Sequence, residues 1–218
     1  MKRIALTLFT ASMVLFACTS SDKKDGTKES TSDTTGTKSA DDVWVPVDSA
    51  TMMNKMIEVG TPGPMHQLLA SWDGTWNGET TMWDYEGAAP GKSTGTAVNT
   101  MIVGGKYQSS KHSGNMMGMP FEGFSITGYD NFTKQFVSTW IDNWGTGIMN
   151  FTGSWDAATK TLTMSGSYPD IVRPGKECKM REVFKVIDDN THHMEMYGPD
   201  PKTGKEYKMM EMHMTRKK

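Results

Sequence analysis

The chain has 218 residues, a formal net charge of −2 at pH 7 and 36% hydrophobic residues. That length holds one folded domain, or one domain with a tail. The slightly acidic balance, with no Lys/Arg cluster, excludes a basic surface for nucleic acid.

Met1–Ala17 reads as a signal segment, with Lys2 and Arg3 as its basic start and Ile4–Phe16 as an apolar core too short to span a bilayer as a stop-transfer helix. It runs into Leu15-Phe16-Ala17-Cys18, which resembles the bacterial lipobox. The resemblance implies cleavage before Cys18, lipidation of that cysteine and anchoring of the chain to a membrane of the bacterial cell envelope. Thr19 rather than Asp after the cysteine resembles the enterobacterial signal for the outer membrane. Cleavage would remove two basic residues and no acid, taking Lys plus Arg from 23 to 21 against 25 acids, a mature charge of about −4. With Cys18 lipidated, Cys178 is the one thiol left and no disulfide can form within the chain; its expected role is a small, partly buried strand residue.

Residues 18–42 are Ser, Thr, Asp, Lys and Gly with almost nothing apolar, so a disordered tether of roughly 25–30 Å reach is expected. Residues 43–64 read as a short helix and linker. Asp48 or Ser49 can cap a helix running to about Val59, with Met52, Met53, Met56 and Ile57 at helical spacing, before Gly60-Thr61-Pro62-Gly63-Pro64 breaks it. A second short helix over Met65–Ser71 carries Leu68 and Leu69 and suits a plug for one end of a barrel.

From Asp73 onward the texture is of short strands between Gly, Pro, Asn and Asp. Strands are predicted at 74–84, 94–103, 105–112, 120–128, 134–142, 147–155, 160–167, 178–187, 191–197 and 205–215. Alternation is clean in several: Met194 and Met196 oppose His193 and Glu195, and Met210, Met212 and Met214 oppose Glu211 and His213. Such a run without helices predicts an all-β fold, an antiparallel sandwich or up-and-down barrel occupying residues 65–217.

Gly74-Thr75-Trp76 opens the first strand after a helix, and Arg216 closes the last. This resembles the calycins (lipocalins, fatty-acid-binding proteins and relatives), in which a Gly-x-Trp on strand one packs near an arginine of the final strand. A closer resemblance spans roughly Gly63–Lys217. It is carried by His66-Gln-Leu-Leu, Gly74-Thr-Trp-Asn-Gly78, Gly104-Gly105-Lys-Tyr107, Gly118-Met-Pro-Phe121-Glu-Gly123, Gly128-Tyr129-Asp130-Asn131, Trp140-Ile-Asp142, Gly145-Thr-Gly147 and Met209 to Arg216. Together these look like the uncharacterised bacterial family named domain of unknown function 1579. The resemblance implies a calycin-like barrel of about ten strands and brings no catalytic residues with it.

No Gly-x-Ser-x-Gly, His-Glu-x-x-His, Walker loop or dinucleotide fingerprint is present, so binding rather than catalysis is expected, with no cofactor. The expected ligand is a small apolar molecule inside the barrel, lined by Trp76, Tyr107, Phe124, Trp140, Asp142, Met194, Met196 and Met212. Trp140 and Asp142 share a strand face, and two readings stand: they orient a ligand at the mouth with a donor from Tyr107, Tyr129 or Arg181, or Asp142 caps the following turn while Trp140 fills core. Two rival readings use other features. His112 with Met116, Met117 and Met119 offers imidazole and thioether ligands suited to Cu(I), on a predicted loop over residues 113–120. The Gly-Thr-Trp-Asn-Gly opening is similar to that of nitrobindin-type haem barrels, with His213 on the last strand as the candidate ligand. A partner-binding barrel with a filled core is the remaining alternative.

Overall fold

A computed structural model describes residues 44–218; the predicted signal segment, the lipidated Cys18 and nearly all of the tether lie outside them. Ten antiparallel strands close into one barrel in simple up-and-down order. They are β1 (Gly74–Met82), β2 (Gly91–Ile102), β3 (Tyr107–Met116), β4 (Met119–Asp130), β5 (Gln135–Asp142), β6 (Met149–Asp156), β7 (Thr161–Pro169), β8 (Glu177–Asp188), β9 (Thr191–Pro199) and β10 (Glu206–Arg216). Pairing of β1 with β10, Trp76 opposite Arg216, removes the free sheet edges. Of the two all-β architectures that the strand spacing allows, sandwich and barrel, the fold is the barrel that the family resemblance implies.

Two helices precede the barrel, α1 (Ser49–Gly60) and α2 (Pro64–Ser71). Asp48 caps α1, its carboxylate accepting from the backbone N–H groups of Ala50 and Thr51. The Met52, Met53, Met56 and Ile57 side chains of α1 are exposed. α2 begins at Pro64 and is secured where Gly63 N–H donates to His66 Nδ1 at 3.0 Å. It plugs one end of the barrel, with Leu69 fully buried among Trp72, Phe136 and Leu162.

A helix leaves its last carbonyls unpaired. Here barrel side chains satisfy them. Gln108 Nε2 donates to Leu69 O at 2.7 Å, Arg216 Nη2 to Ser71 O at 2.9 Å, and Trp76 Nε1 and Asn99 Nδ2 to Trp72 O at 3.0 and 3.1 Å. Arg216 Nη1 also donates to Asp73 O, and its guanidinium lies 4.3 Å from the Trp76 ring centroid. Gly74 sits at φ +123°, and a Cβ there would meet the Arg216 guanidinium. The Gly-x-Trp and arginine pairing is thus the clasp between the plug and the barrel.

The same turn chemistry closes three hairpins. Asp130-Asn-Phe-Thr133-Lys134, Asp156-Ala-Ala-Thr159-Lys160 and Asp200-Pro-Lys-Thr203-Gly204 each start with an aspartate accepting from the backbone N–H two residues on. Each ends on a left-handed residue, Lys134, Lys160 or Gly204. One predicted loop is not a loop. Residues 113–116 extend β3 and pair with Met119–Glu122 of β4, leaving a tight turn at Met117 and Gly118, both at positive φ. The glycines that suggested a break instead let strands approach closely: Gly114 packs against Gly95 of β2.

Candidate functional site

Alternate residues of every strand point inward. They enclose a cavity of about 350 Å³ rather than filling the interior, which overturns the filled-core alternative. α2 and Trp72 close one end. At the other end the wall includes Trp144, which is 43% exposed, so the cavity reaches solvent there.

The wall has two chemical halves. On β2 to β5 it presents Asn99, Gln108, Ser110, His112, Thr127 and Ser138, with Met116, Phe121 and Trp140 toward the mouth. On β6 to β10 it presents Met164, Met180, Met194, Met196, Met212 and Met214 among other methionines, with Phe151, Leu162 and Phe184. Methionine is flexible and polarizable, so this half can reshape around different apolar contents.

The polar half is wired as a ladder, and the ladder fixes a tautomer. Asn99 Nδ2 donates to the Trp72 carbonyl, which can only accept, so Asn99 Oδ1 faces Ser110. Ser110 Oγ donates its single proton to Asn99 Oδ1 at 2.6 Å and therefore accepts from His112 Nε2 at 2.8 Å. Neutral His112 is then the Nε2–H form, with Nδ1 left as a bare acceptor. Burial holds the His112 pKa down at about 4. Thr127 and Ser138 hydroxyls pair at 2.8 Å, and Gln108 spends its amide on Leu69 O and Asp73.

The methionine half holds one carboxyl. Glu182 stands between Met180 and Phe184 on β8, flanked by Met164 of β7 and Met196 of β9 in register. Burial alone pushes its pKa up to about 7, with no hydrogen bond or charge acting on it. Its neighbour Arg181 points outward and is engaged by Glu206. Nearer the plug, His192 stacks on Trp76 with ring centroids 4.0 Å apart. Burial, and then the Arg216 charge, hold its pKa at about 4.

The residues proposed from sequence fall into three groups. Trp76, Trp140, Asp142, Met194, Met196 and Met212 line the cavity. Tyr107 and Phe124 do not. Tyr107 lies outside, its ring covering Gly128, and Phe124 has the opposite parity to Phe121 and Ser125, which face in. Trp140 Nε1 donates to Asp142 Oδ2 at 2.8 Å, while Asp142 Oδ1 accepts from the Trp144 and Gly145 N–H groups. Asp142 therefore caps its turn and orients Trp140 at the mouth, and the donor is Trp140 rather than Tyr107, Tyr129 or Arg181. Gly128 and Asp130 belong to the β4–β5 hairpin, and Tyr129 packs inward beside Phe136 and His66.

The copper and haem candidates disperse. His112 and Met116 face the cavity, whereas Met117 in the turn and Met119 at the start of β4 are 64% and 52% exposed. His213 projects from the outer face, opposite in parity to Met212 and Met214. Among the described residues a His193, Glu195 and Glu211 trio clusters on that outer face, but Lys208 already pairs with both glutamates.

Sequence reasoning missed Glu182, noted His192 only as a neighbour of Met194 and Met196, and grouped His112, the last residue of its predicted strand, with the methionines of a following loop. For Glu182 the signal was strand parity: Cys178, Met180, Phe184 and Val186 share its face, while Lys179 and Lys185 occupy the other.

No curated protein matches this chain. Among solved structures it resembles one titled "Crystal Structure of Rv2717c from M. tuberculosis", with a TM-score of 0.54 and 11% identity over 72% of this chain and all of that one; the likeness is one of fold. A family model described as "Protein of unknown function (DUF1579)" matches residues 61–216, and with that match the chain belongs to this family.

Proposed function

We propose that the barrel binds a small, largely apolar molecule without covalent chemistry. The observation that carries this is the open cavity of about 350 Å³, walled mainly by thioethers and aromatic rings and reaching solvent beside Trp144. That volume falls in the usual range for small-molecule sites, about 300–1,000 Å³. Left dry it would cost about 8 kcal/mol at roughly 24 cal/mol per Å³. That is comparable to the whole net stability of a domain, about 5–15 kcal/mol. The wall is too apolar to hold ordered water over most of its area, which favours an apolar occupant. The Leu15 to Cys18 sequence supports a lipid-anchored protein of the bacterial envelope, its barrel tethered off the membrane.

Native mass spectrometry of the purified protein, before and after organic extraction, tests the binding reading. A mass increment lost on extraction, or regained on incubation with an apolar compound, is expected. A protein that never takes up such a compound would refute it. Cys18→Ala should move the protein to the soluble fraction; unchanged membrane association would remove the anchor.

A further inference from the structure

The cavity is acidic without being basic. Its lining holds two carboxyl groups, Asp142 and Glu182, and among the described residues no lysine or arginine. Asp142 is spent on Trp140 and on the following turn. Glu182 is spent on nothing: its surroundings on β7, β8 and β9 are Met164, Met180, Phe184 and Met196, and the nearby cations Arg181 and Lys208 are paired on the outer surface.

Its position is central. Glu182 is the middle member of the inward series Cys178, Met180, Glu182, Phe184 and Val186 on β8, so it stands halfway between plug and mouth. In the closed strand order β8 lies diametrically across from β3, five steps away by either route. His112 is the middle inward residue of β3 and presents its bare Nδ1. Both walls therefore offer an acceptor at mid-depth, and neither offers a cation.

A carboxylate alone in an apolar wall is costly unless a partner compensates it. A ligand bearing a carboxylate would add a third negative group and find no counter-charge. An alcohol would donate one hydrogen bond and leave the charge in place. An ammonium group would do both jobs, pairing with Glu182 while its apolar body lies along the methionines.

Resting on the binding reading above, we propose that this cavity selects an amphiphile with an apolar body and a single protonated amine, held by the Glu182 carboxylate. The class is thus set apart from the carboxylate lipids that the calycin likeness would suggest.

Three probes of equal chain length decide it: octylamine, octanol and octanoate, titrated calorimetrically into the extracted protein at pH 8, where Glu182 is ionised and the amine protonated. Octylamine should bind at least tenfold more tightly than octanoate and more tightly than octanol. Glu182→Gln should abolish the amine preference while leaving octanol binding within about threefold. Glu195→Gln, which removes a carboxylate from the outer face, should leave the preference intact. Octanol binding without amine preference, or a preference that survives Glu182→Gln, overturns the head-group assignment alone. Failure of all three probes to bind overturns the binding reading together with it.

Discussion

Across the cavity, β2 to β5 present hydroxyl, amide and imidazole groups that satisfy one another, whereas β6 to β10 present thioethers and rings around one carboxyl that nothing satisfies. The polar half is the structural half. Its ladder runs from His112 through Ser110 and Asn99 to the Trp72 carbonyl, so it holds the plug in place. The methionine half is adaptable; of its two polar groups, His192 is stacked on Trp76 and the Glu182 carboxyl is unpartnered. Glu182 is half-buried and faces the cavity with no hydrogen bond from the wall, so a molecule inside can supply its partner.

This contrast can be broken from either side, and the largest effect is expected on the apolar side. In ligand-free protein, the Glu182 pKa is raised from 4.5 to about 7. Folding then favours the protonated acid, so this contribution is fully present below pH 4.5 and lost as pH rises through 7. Glu182→Gln carries no such dependence. Its stability relative to wild type should improve by about 2–3 kcal/mol between pH 5 and pH 8 in chemical denaturation. A constant gap across that range would place Glu182 in water.

Histidines give the opposite slope. His192 is 2% exposed, and its pKa falls from 6.5 to about 4. The unfolded chain takes the proton first, so this stability is present above pH 6.5 and lost as pH falls toward 4. At pH 5 the loss from His192 should be about 2 kcal/mol relative to pH 7. His112 acts in the same direction. His192→Phe, which keeps a ring against Trp76, should flatten the acid limb measured over that interval.

On the polar side, Ser110→Ala removes the middle of the ladder. It leaves Asn99 Oδ1 and His112 Nε2–H unpaired, and a loss of about 1–3 kcal/mol is expected in the same denaturation experiment. Amide exchange in α2 should accelerate in parallel, because Asn99 ties the helix end to β2. The smallest effect is in a turn remote from both walls. Lys134 adopts φ +58°, and Lys134→Gly should stabilise the protein by up to about 1 kcal/mol, read as a small rise in Tm.

The barrel was legible because antiparallel strands with one wet and one buried face alternate, and Asp-x-x-Thr turns punctuate them. The clasp was legible through the resemblance to calycins, which implies that Gly74-Thr75-Trp76 packs near Arg216. The cavity was only half legible. Parity put Trp140 with Asp142, and Met194 with Met196, on shared faces, and these residues and Met212 line the cavity, but an aromatic residue's type does not tell its face. Tyr107 turned outward to cover Gly128, and Phe121 rather than Phe124 took the inner position. The ladder was illegible: Ser110 and His112 share a face of one strand, but Asn99 meets Ser110 only through the register of β2 with β3, and the Trp72 carbonyl only through the placement of the plug. Residues 113–116 misled because glycine serves turns and close strand approach alike.

The claim at the centre of this account is that the interior receives a molecule. Ser125 lines the cavity beside Trp140 in register. Ser125→Phe would occupy the space with a ring. Calorimetric titration of octanol into wild type and Ser125→Phe, each shown to be folded by its Tm, tests the claim directly. Saturable one-to-one uptake by wild type that is lost in Ser125→Phe is the expected result. Equal uptake by both proteins would place the binding outside the barrel and contradict it.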